Sequence, residues 1–101
     1  MPDSDQYPLP EELDKIRNWP HTQGFCQLFA FVKPLWAYAE SGAFNEFTNK
    51  GGELSYHLHT FGWSGNEELI SAMKENLVFW GYCWFSSERG GHYVFKFKEI
   101  N

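Results

Sequence analysis

Apolar residues in the N-terminal part of the chain recur at helical spacing. A short helix is predicted to begin at Pro10, with Glu11 and Glu12 in its first turn, and to end before Pro20. A second helix is indicated by apolar residues at intervals of three and four, which are Phe25, Leu28, Phe29, Val32, Leu35, Trp36 and Ala39. Pro34 lies inside this pattern, and we expect it to kink the helix or to divide it into two.

The spacing changes to strict alternation in the segment GELSYHLHT. Leu54, Tyr56 and Leu58 point to one side, and Ser55, His57 and His59 point to the other. This period of two is typical of a half-buried strand. The segment before it, residues 41–52, mixes Gly, Asn and Thr with isolated Phe44 and Phe47, and it is predicted to be a loop.

The C-terminal part begins with a helix signal. Ser64 and Glu67 match a capping box, which predicts a third helix that starts near Gly65. The run LVFWGYCWF that follows is apolar on every side, so periodicity does not decide between a strand and a buried helix. We favour a strand for residues 77–86, because aromatic and β-branched residues are frequent and Asn76 is a plausible helix stop.

A hairpin completes the pattern, because the turn residues SERGG precede alternating Tyr93, Phe95 and Phe97. The sequence therefore predicts an α+β fold of order α-α-β-α-β-β, a small antiparallel three-stranded sheet packed by helices. Residues 1–8 are expected to form a flexible arm, and residues 9–101 a single domain. We expect Trp80 and Trp84 to be buried in its core, since 20% of the chain is aromatic.

Charge and composition exclude several function classes. The net charge of −5 offers no basic field for phosphate contacts, so we expect no nucleic-acid binding. The N-terminus has neither a basic region nor an apolar one, and no stretch is long enough to suggest a membrane span. Cys26 and Cys83 lie in apolar runs, which fits a reducing compartment. We expect an unprocessed, cytoplasmic protein.

Catalytic and metal-binding patterns are weak. GWSGN resembles the nucleophile elbow of serine hydrolases, but Asn66 replaces its second glycine and the chain is too short for that fold. His57 and His59 share a strand face, and His92 is a candidate third metal ligand, yet an alternating polar face explains them equally well. We therefore predict no catalytic residue, no metal and no cofactor.

Two segments carry the remaining polar chemistry. The first, TFGWSGNE, offers free backbone N–H groups at a helix start, at Ser64, Gly65 and Asn66, together with the flat ring of Trp63. The second offers a guanidinium beside two glycines and two rings, at Arg89, Gly90, Gly91, His92 and Tyr93. Capping and hairpin formation account for many of these residues too. We expect the two segments to lie close together and to bind an anionic ligand or a protein.

These segments also carry a resemblance. GWSGNEELI followed by NLVFWGYCWFSSERGGHYVF resembles a family of small bacteriophage and prophage proteins without an assigned function, over residues 53–98. The resemblance implies a phage or prophage setting and no mechanism. Small size, acidity, abundant aromatic residues and the lack of a catalytic constellation favour a non-catalytic accessory protein in the host cytoplasm, one that inhibits a host defence protein or sequesters a nucleotide-like anionic ligand. The alternative is a small phosphoester-processing enzyme that uses His92 and Arg89. Self-association stays open.

Overall fold

The computed structural model describes residues 7–39 and 42–98 of the chain. The predicted arm lies mostly outside these residues, although Tyr7 stacks on Trp63 with 5.2 Å between ring centroids. In the described part the helices are α1 (Pro10–Arg17), α2 (Phe25–Val32), α3 (Ser64–Glu75) and α4 (Leu77–Cys83). The strands are β1 (Phe44–Thr48), β2 (Leu54–His59), β3 (Trp84–Glu88) and β4 (His92–Phe97).

The first two helices form as predicted. Pro10 is at the start of α1, where a proline loses no hydrogen bond, and the Leu9 N–H donates to the Glu12 carboxylate at 2.8 Å. Pro34 ends the α-helical part of α2, and a short 3-10 turn, Lys33–Leu35, follows directly. The expected interruption at Pro34 is confirmed.

The sheet has four strands in the described residues, so the three-stranded prediction is wrong. Its order is β1-β2-β4-β3, and every neighbouring pair is antiparallel. The additional strand, β1, lies in the segment predicted as a loop, where Phe44 pairs with Leu58 and Thr48 pairs with Leu54. Because β2 supplies a complete row of hydrogen-bonding partners, β1 forms a strand despite its irregular apolar spacing. The α+β class itself is confirmed.

The apolar run after α3 begins as a helix, which corrects the strand predicted for residues 77–86. Asn76 ends α3 and caps α4, because its side-chain oxygen accepts a hydrogen bond from the Phe79 N–H at 3.2 Å. Phe79 and Cys83, one helical turn apart, face the core. The chain becomes extended only at Trp84.

The capping box predicted for α3 is also absent. Trp63 precedes the first helical residue, and no side chain caps this end of the helix. The chain leads into α3 through a tight turn, in which the Trp63 N–H donates to the Thr60 carbonyl at 2.9 Å. Ser64 therefore lies inside the first helical turn, where its hydroxyl approaches the Tyr7 hydroxyl at 3.4 Å.

The core lies between the helices and one face of the sheet. Phe29 of α2 is its centre and stacks on Tyr56 of β2 with 3.8 Å between ring centroids. Trp80 is only partly buried against this core, and Trp84 is 42% exposed. The prediction that both tryptophans are buried is therefore wrong for Trp84, because β3 is at the edge of the sheet and none of the described strands lies on its outer side.

Candidate functional site

The sheet face that points away from the helices carries a group of imidazoles. We call this face the open face, because its side chains are not part of the hydrophobic core cluster. His57 and His59 project from it on β2, as their alternation with buried Tyr56 predicts. His92 of β4 pairs with His59 in the register, and their rings stack with 4.2 Å between centroids.

These imidazoles belong to a longer row of rings. Phe61 stacks on His59 at 5.9 Å and contacts Tyr38 at 6.1 Å between centroids. On the other side, His57 lies 5.6 Å from the His92 ring and 5.4 Å from the Phe47 ring. We call this row the ring ladder; its members are Tyr38, Phe61, His59, His92, His57 and Phe47. It crosses the open face from the loop that precedes α3 to the edge strand β1.

Two members of the ring ladder have a strained backbone. Tyr38 has φ of 64° and Phe61 has φ of 53°, and in the described residues only these two non-glycine residues have positive φ. The left-handed region is costly for a bulky side chain, and a residue found there merits a functional explanation. Both rings are also exposed, Tyr38 by 43% and Phe61 by 55%. Two aromatic rings are therefore on the surface of the protein although the backbone conformation of both residues is unfavourable.

Asn66 holds the two strained residues in place from below. Its side chain is fully buried and binds both backbone groups of Ala37, accepting from the N–H at 2.8 Å and donating to the carbonyl at 3.1 Å. The same amide nitrogen lies 3.4 Å from the Thr60 carbonyl. Ala37 and Thr60 directly precede Tyr38 and Phe61. Asn66, predicted to contact a ligand, is thus a positioning residue in this structure.

The hairpin turn between β3 and β4 contacts the loop before α3 at Gly91, beside the ladder residues Phe61 and His92. The Thr60 N–H donates to the Gly91 carbonyl at 3.0 Å, which joins the turn to the loop before α3. Gly91 has φ of 80°, and a Cβ at this position would overlap the Thr60 hydroxyl. Only glycine meets both conditions. The two predicted segments do approach one another, and their meeting point is Thr60 and Gly91.

The other predicted residues of the first segment lie behind the ladder. The Trp63 ring covers Gly65, where an added Cβ would be 2.7 Å from the indole nitrogen. Tyr7 stacks on the outer side of the same indole. The start of α3 is therefore surrounded by aromatic rings. The backbone N–H groups of Ser64 and Gly65, which are predicted to be available to a ligand, lie beside Trp63.

The second segment divides between the two sides of the hairpin. Arg89 and Gly90 are exposed in the turn. Tyr93 faces the helices, and its ring lies 5.5 Å from the Lys74 ammonium. His92 faces the open side, and its Nδ1 donates to the Glu88 carboxylate at 2.9 Å. Its Nε2 is buried and has no hydrogen-bond partner in the described residues.

His57 and His59 favour the neutral form. Burial lowers the pKa of His57 and the pKa of His59 below the usual value, and the nearby His92 lowers both further. Stacking places ring faces rather than nitrogen lone pairs against one another. In the described residues no group of three or more His, Cys, Asp or Glu side chains is arranged to hold a metal ion.

Comparisons with protein-family models, with curated proteins and with solved structures found no match for this chain. Fold and site together define a small α+β domain with a ring-bearing open face. In the part of the chain that the structure describes, no helix is long and apolar enough to cross a membrane. Because none of the comparisons found a match, the phage resemblance stays a prediction.

Sequence reasoning missed Tyr38, Phe61 and Phe47 as candidate site residues. Tyr38 lies in the segment predicted to continue the second helix, and Phe47 lies in a segment predicted to be a loop. The one signal for Phe61 is the glycine that follows it, since an aromatic residue before glycine often marks a turn. A positive φ at either aromatic residue cannot be read from residue type, because nearly all other tyrosines and phenylalanines have negative φ.

Proposed function

We propose that this protein is a non-catalytic binding domain and that the ring ladder is the surface that contacts its protein partner. The observation that carries the proposal is the exposed, strained pair Tyr38 and Phe61. Glycine at either position would remove the strain, so keeping an aromatic ring there is best explained by a use for that ring. Aromatic side chains are also enriched among the residues that dominate binding energy at interfaces.

The extent and charge of the ladder favour a protein over a small ligand. Its members lie on β1, β2, β4 and two loops, an extent that suits a macromolecular contact. None of them is Lys, Arg, Asp or Glu, and charged residues are depleted at the centre of protein interfaces. The enzymatic alternative has less support, since Nδ1 of His92 is engaged by the Glu88 carboxylate and its Nε2 is buried.

The resemblance to phage and prophage proteins supplies the biological setting of the proposal. On that basis the partner is a host protein, and the effect of binding is to inhibit a host defence function. Arg89 and Lys96 then flank the ladder as the cations closest to it along β4 and its turn. A partner with acidic groups around an apolar centre would complement this arrangement.

The proposal is tested by placing a photo-reactive ring in the ladder. Benzoylphenylalanine replaces Phe61 in one variant and Phe47 in another, and illumination in bacterial lysate crosslinks whatever protein covers these positions. The same residue at Leu9, which is 53% exposed on α1's side of the molecule, is the control. We expect one protein to be crosslinked from both ladder positions and not from position 9.

The identified protein is then purified and titrated by calorimetry. We expect Tyr38→Ala combined with Phe61→Ala to weaken binding by about 30-fold, or about 2 kcal/mol, as for typical hot-spot residues. Leu9→Ala should change the dissociation constant by less than about twofold, because isolated surface changes have small effects. Equal binding by the double variant and the wild type would refute the proposal, and so would equal crosslinking from position 9.

A further inference from the structure

A second uncovered apolar surface lies on the opposite margin of the molecule. Helix α4 is apolar all round, and only Phe79 and Cys83 are buried. The outward residues are Leu77, Val78 and Tyr82, exposed by 79%, 60% and 45%. Trp84 is the residue directly after α4 and the first of β3; it is 42% exposed, and its ring stacks on Trp80 of the same helix with 6.0 Å between centroids. We call Leu77, Val78, Tyr82 and Trp84 the α4 surface.

Next to the α4 surface, the sheet has an unpaired edge. Strand β3 pairs only with β4 among the described strands, so the backbone groups on its outer side have no strand partner. A free edge of this kind is a template for another strand. The opposite edge, β1, carries the exposed carboxylate of Glu46 near its middle. Strand β3 has a register shift between Trp84 and Ser86, and the Lys96 ammonium lies 4.1 Å from the Phe85 ring centroid. Because charges and bulges partly protect both edges, the choice of β3 rests on the α4 surface next to it.

We propose that a second copy of this chain covers both features, in a twofold dimer formed through β3 and the α4 surface. A twofold axis beside β3 pairs the strand antiparallel with its own copy and extends the sheet. Because α4 and Trp84 lie on the helix side of the sheet, the same axis brings the two α4 surfaces together. One symmetry operation thus covers the free edge and the apolar helix.

The area and the charge fit a weak dimer. At the exposures above, the four side chains leave about 300 Å² of apolar surface per copy, taking about 200 Å² for each whole aromatic side chain and about 100 Å² for leucine and valine. This is at the lower end of the range of the largest apolar patches on monomers, which are often functional. Backbone from β3 adds to it, and a total below about 600 Å² per partner is the size expected of a weak interface. The surface contains no charge, so contact does not bring the acidic groups of two copies directly together.

The dimer is tested by analytical ultracentrifugation between about 1 μM and 1 mM protein. We expect the wild type to dimerise with a dissociation constant of about 10–100 μM, as suits a small interface. Leu77→Glu with Val78→Glu should remove the dimer. These positions are the first two of α4, where carboxylates suit a helix start, so the fold is retained.

The matched control adds the same two charges elsewhere. Gln27→Glu with Ser71→Glu changes exposed positions of α2 and α3, and we expect it to dimerise like the wild type to within about threefold. As a second readout, amide hydrogen exchange of Phe85–Ser87 should slow at high concentration in the wild type and in the control. It should not slow in the Leu77→Glu and Val78→Glu variant.

Three results would overturn the dimer: a wild type that stays monomeric at 1 mM, a dimer that survives Leu77→Glu with Val78→Glu, or equal loss of the dimer in the control. As a further readout, benzoylphenylalanine in place of Val78 should crosslink a second copy on illumination, and crosslinking of a different protein instead would also overturn the dimer. The ring ladder is tested separately, because Tyr38→Ala with Phe61→Ala should dimerise normally.

Discussion

Replacing Phe61 by glycine should stabilise the backbone of the ring ladder while removing its ring. The left-handed conformation costs a residue with a Cβ about 1–2 kcal/mol, and Phe61 has φ of 53°. Phe61→Ala keeps this cost and loses the ring, whereas Phe61→Gly loses both. Glycine also loses more conformational entropy on folding than alanine does, a cost of about 0.5–1 kcal/mol that offsets part of the gain from the removed strain. The glycine variant should therefore be more stable than the alanine variant by about 0.5–1 kcal/mol.

The comparison of the two variants isolates the strain, because both lack the ring. Urea unfolding at 25 °C gives the free energy of unfolding of each. The control is Ala30→Gly at an exposed position of α2, where the same exchange should cost about 1 kcal/mol. The sign of the glycine effect is thus opposite at the two sites, and Tyr38 should behave like Phe61. If Phe61→Gly is less stable than Phe61→Ala, the strain argument fails, and the main support for the proposed binding surface fails with it.

Three further predictions concern the residues around the ladder. Asn66→Ala should lower the free energy of unfolding by about 2–5 kcal/mol in urea titrations, since it leaves at least two buried backbone groups unpaired; a loss below about 1 kcal/mol would show that water replaces the amide. Gly91→Ala should lower the melting temperature in calorimetry, because the added Cβ overlaps the Thr60 hydroxyl at a positive φ; an unchanged value would contradict this contact. The lowered pKa values of His57 and His59 mean that unfolding favours their protonation, so stability should be complete above about pH 7 and decrease as the pH falls below 6.5. Denaturant titrations from pH 8 to pH 5 should show this decrease, and replacing both histidines with glutamine should flatten the profile.

The elements that could be predicted are those in which local pattern and tertiary environment agree. The alternation in β2 was read correctly because one face of that strand is in the core and the other faces solvent. Strand β1 was missed because its second phenylalanine, Phe47, belongs to the open face and contributes nothing to an inward pattern. The run that forms α4 was ambiguous because half of its apolar residues face water. No periodicity separates a buried apolar face from an exposed one.

The candidate site was predictable only in part. His92 and Gly91 could be named as candidates from the sequence, because glycines and an imidazole in a turn are visible in the residue types. Asn66 is predicted to contact a ligand at the start of α3, and the structure shows its buried side-chain amide bonded to the backbone of Ala37. Residue type alone does not distinguish an amide that binds backbone from one at a ligand site. Tyr38 and Phe61 acquire their importance from backbone dihedral angles, which depend on contacts between distant segments.

Asn76 has a consequence for the cooperativity of unfolding. Besides capping α4, its amide donates to the carbonyls of Ile16 and Trp19, at 3.0 and 3.1 Å, just where α1 ends. The first helix of the chain therefore cannot separate from the domain without also leaving the amide that begins α4 unsatisfied. Fraying from the N-terminal side is coupled in this way to loss of the segment that leads into β3. The amides of α1 should exchange with solvent through the same global opening as those of the central strands, rather than through an independent local one.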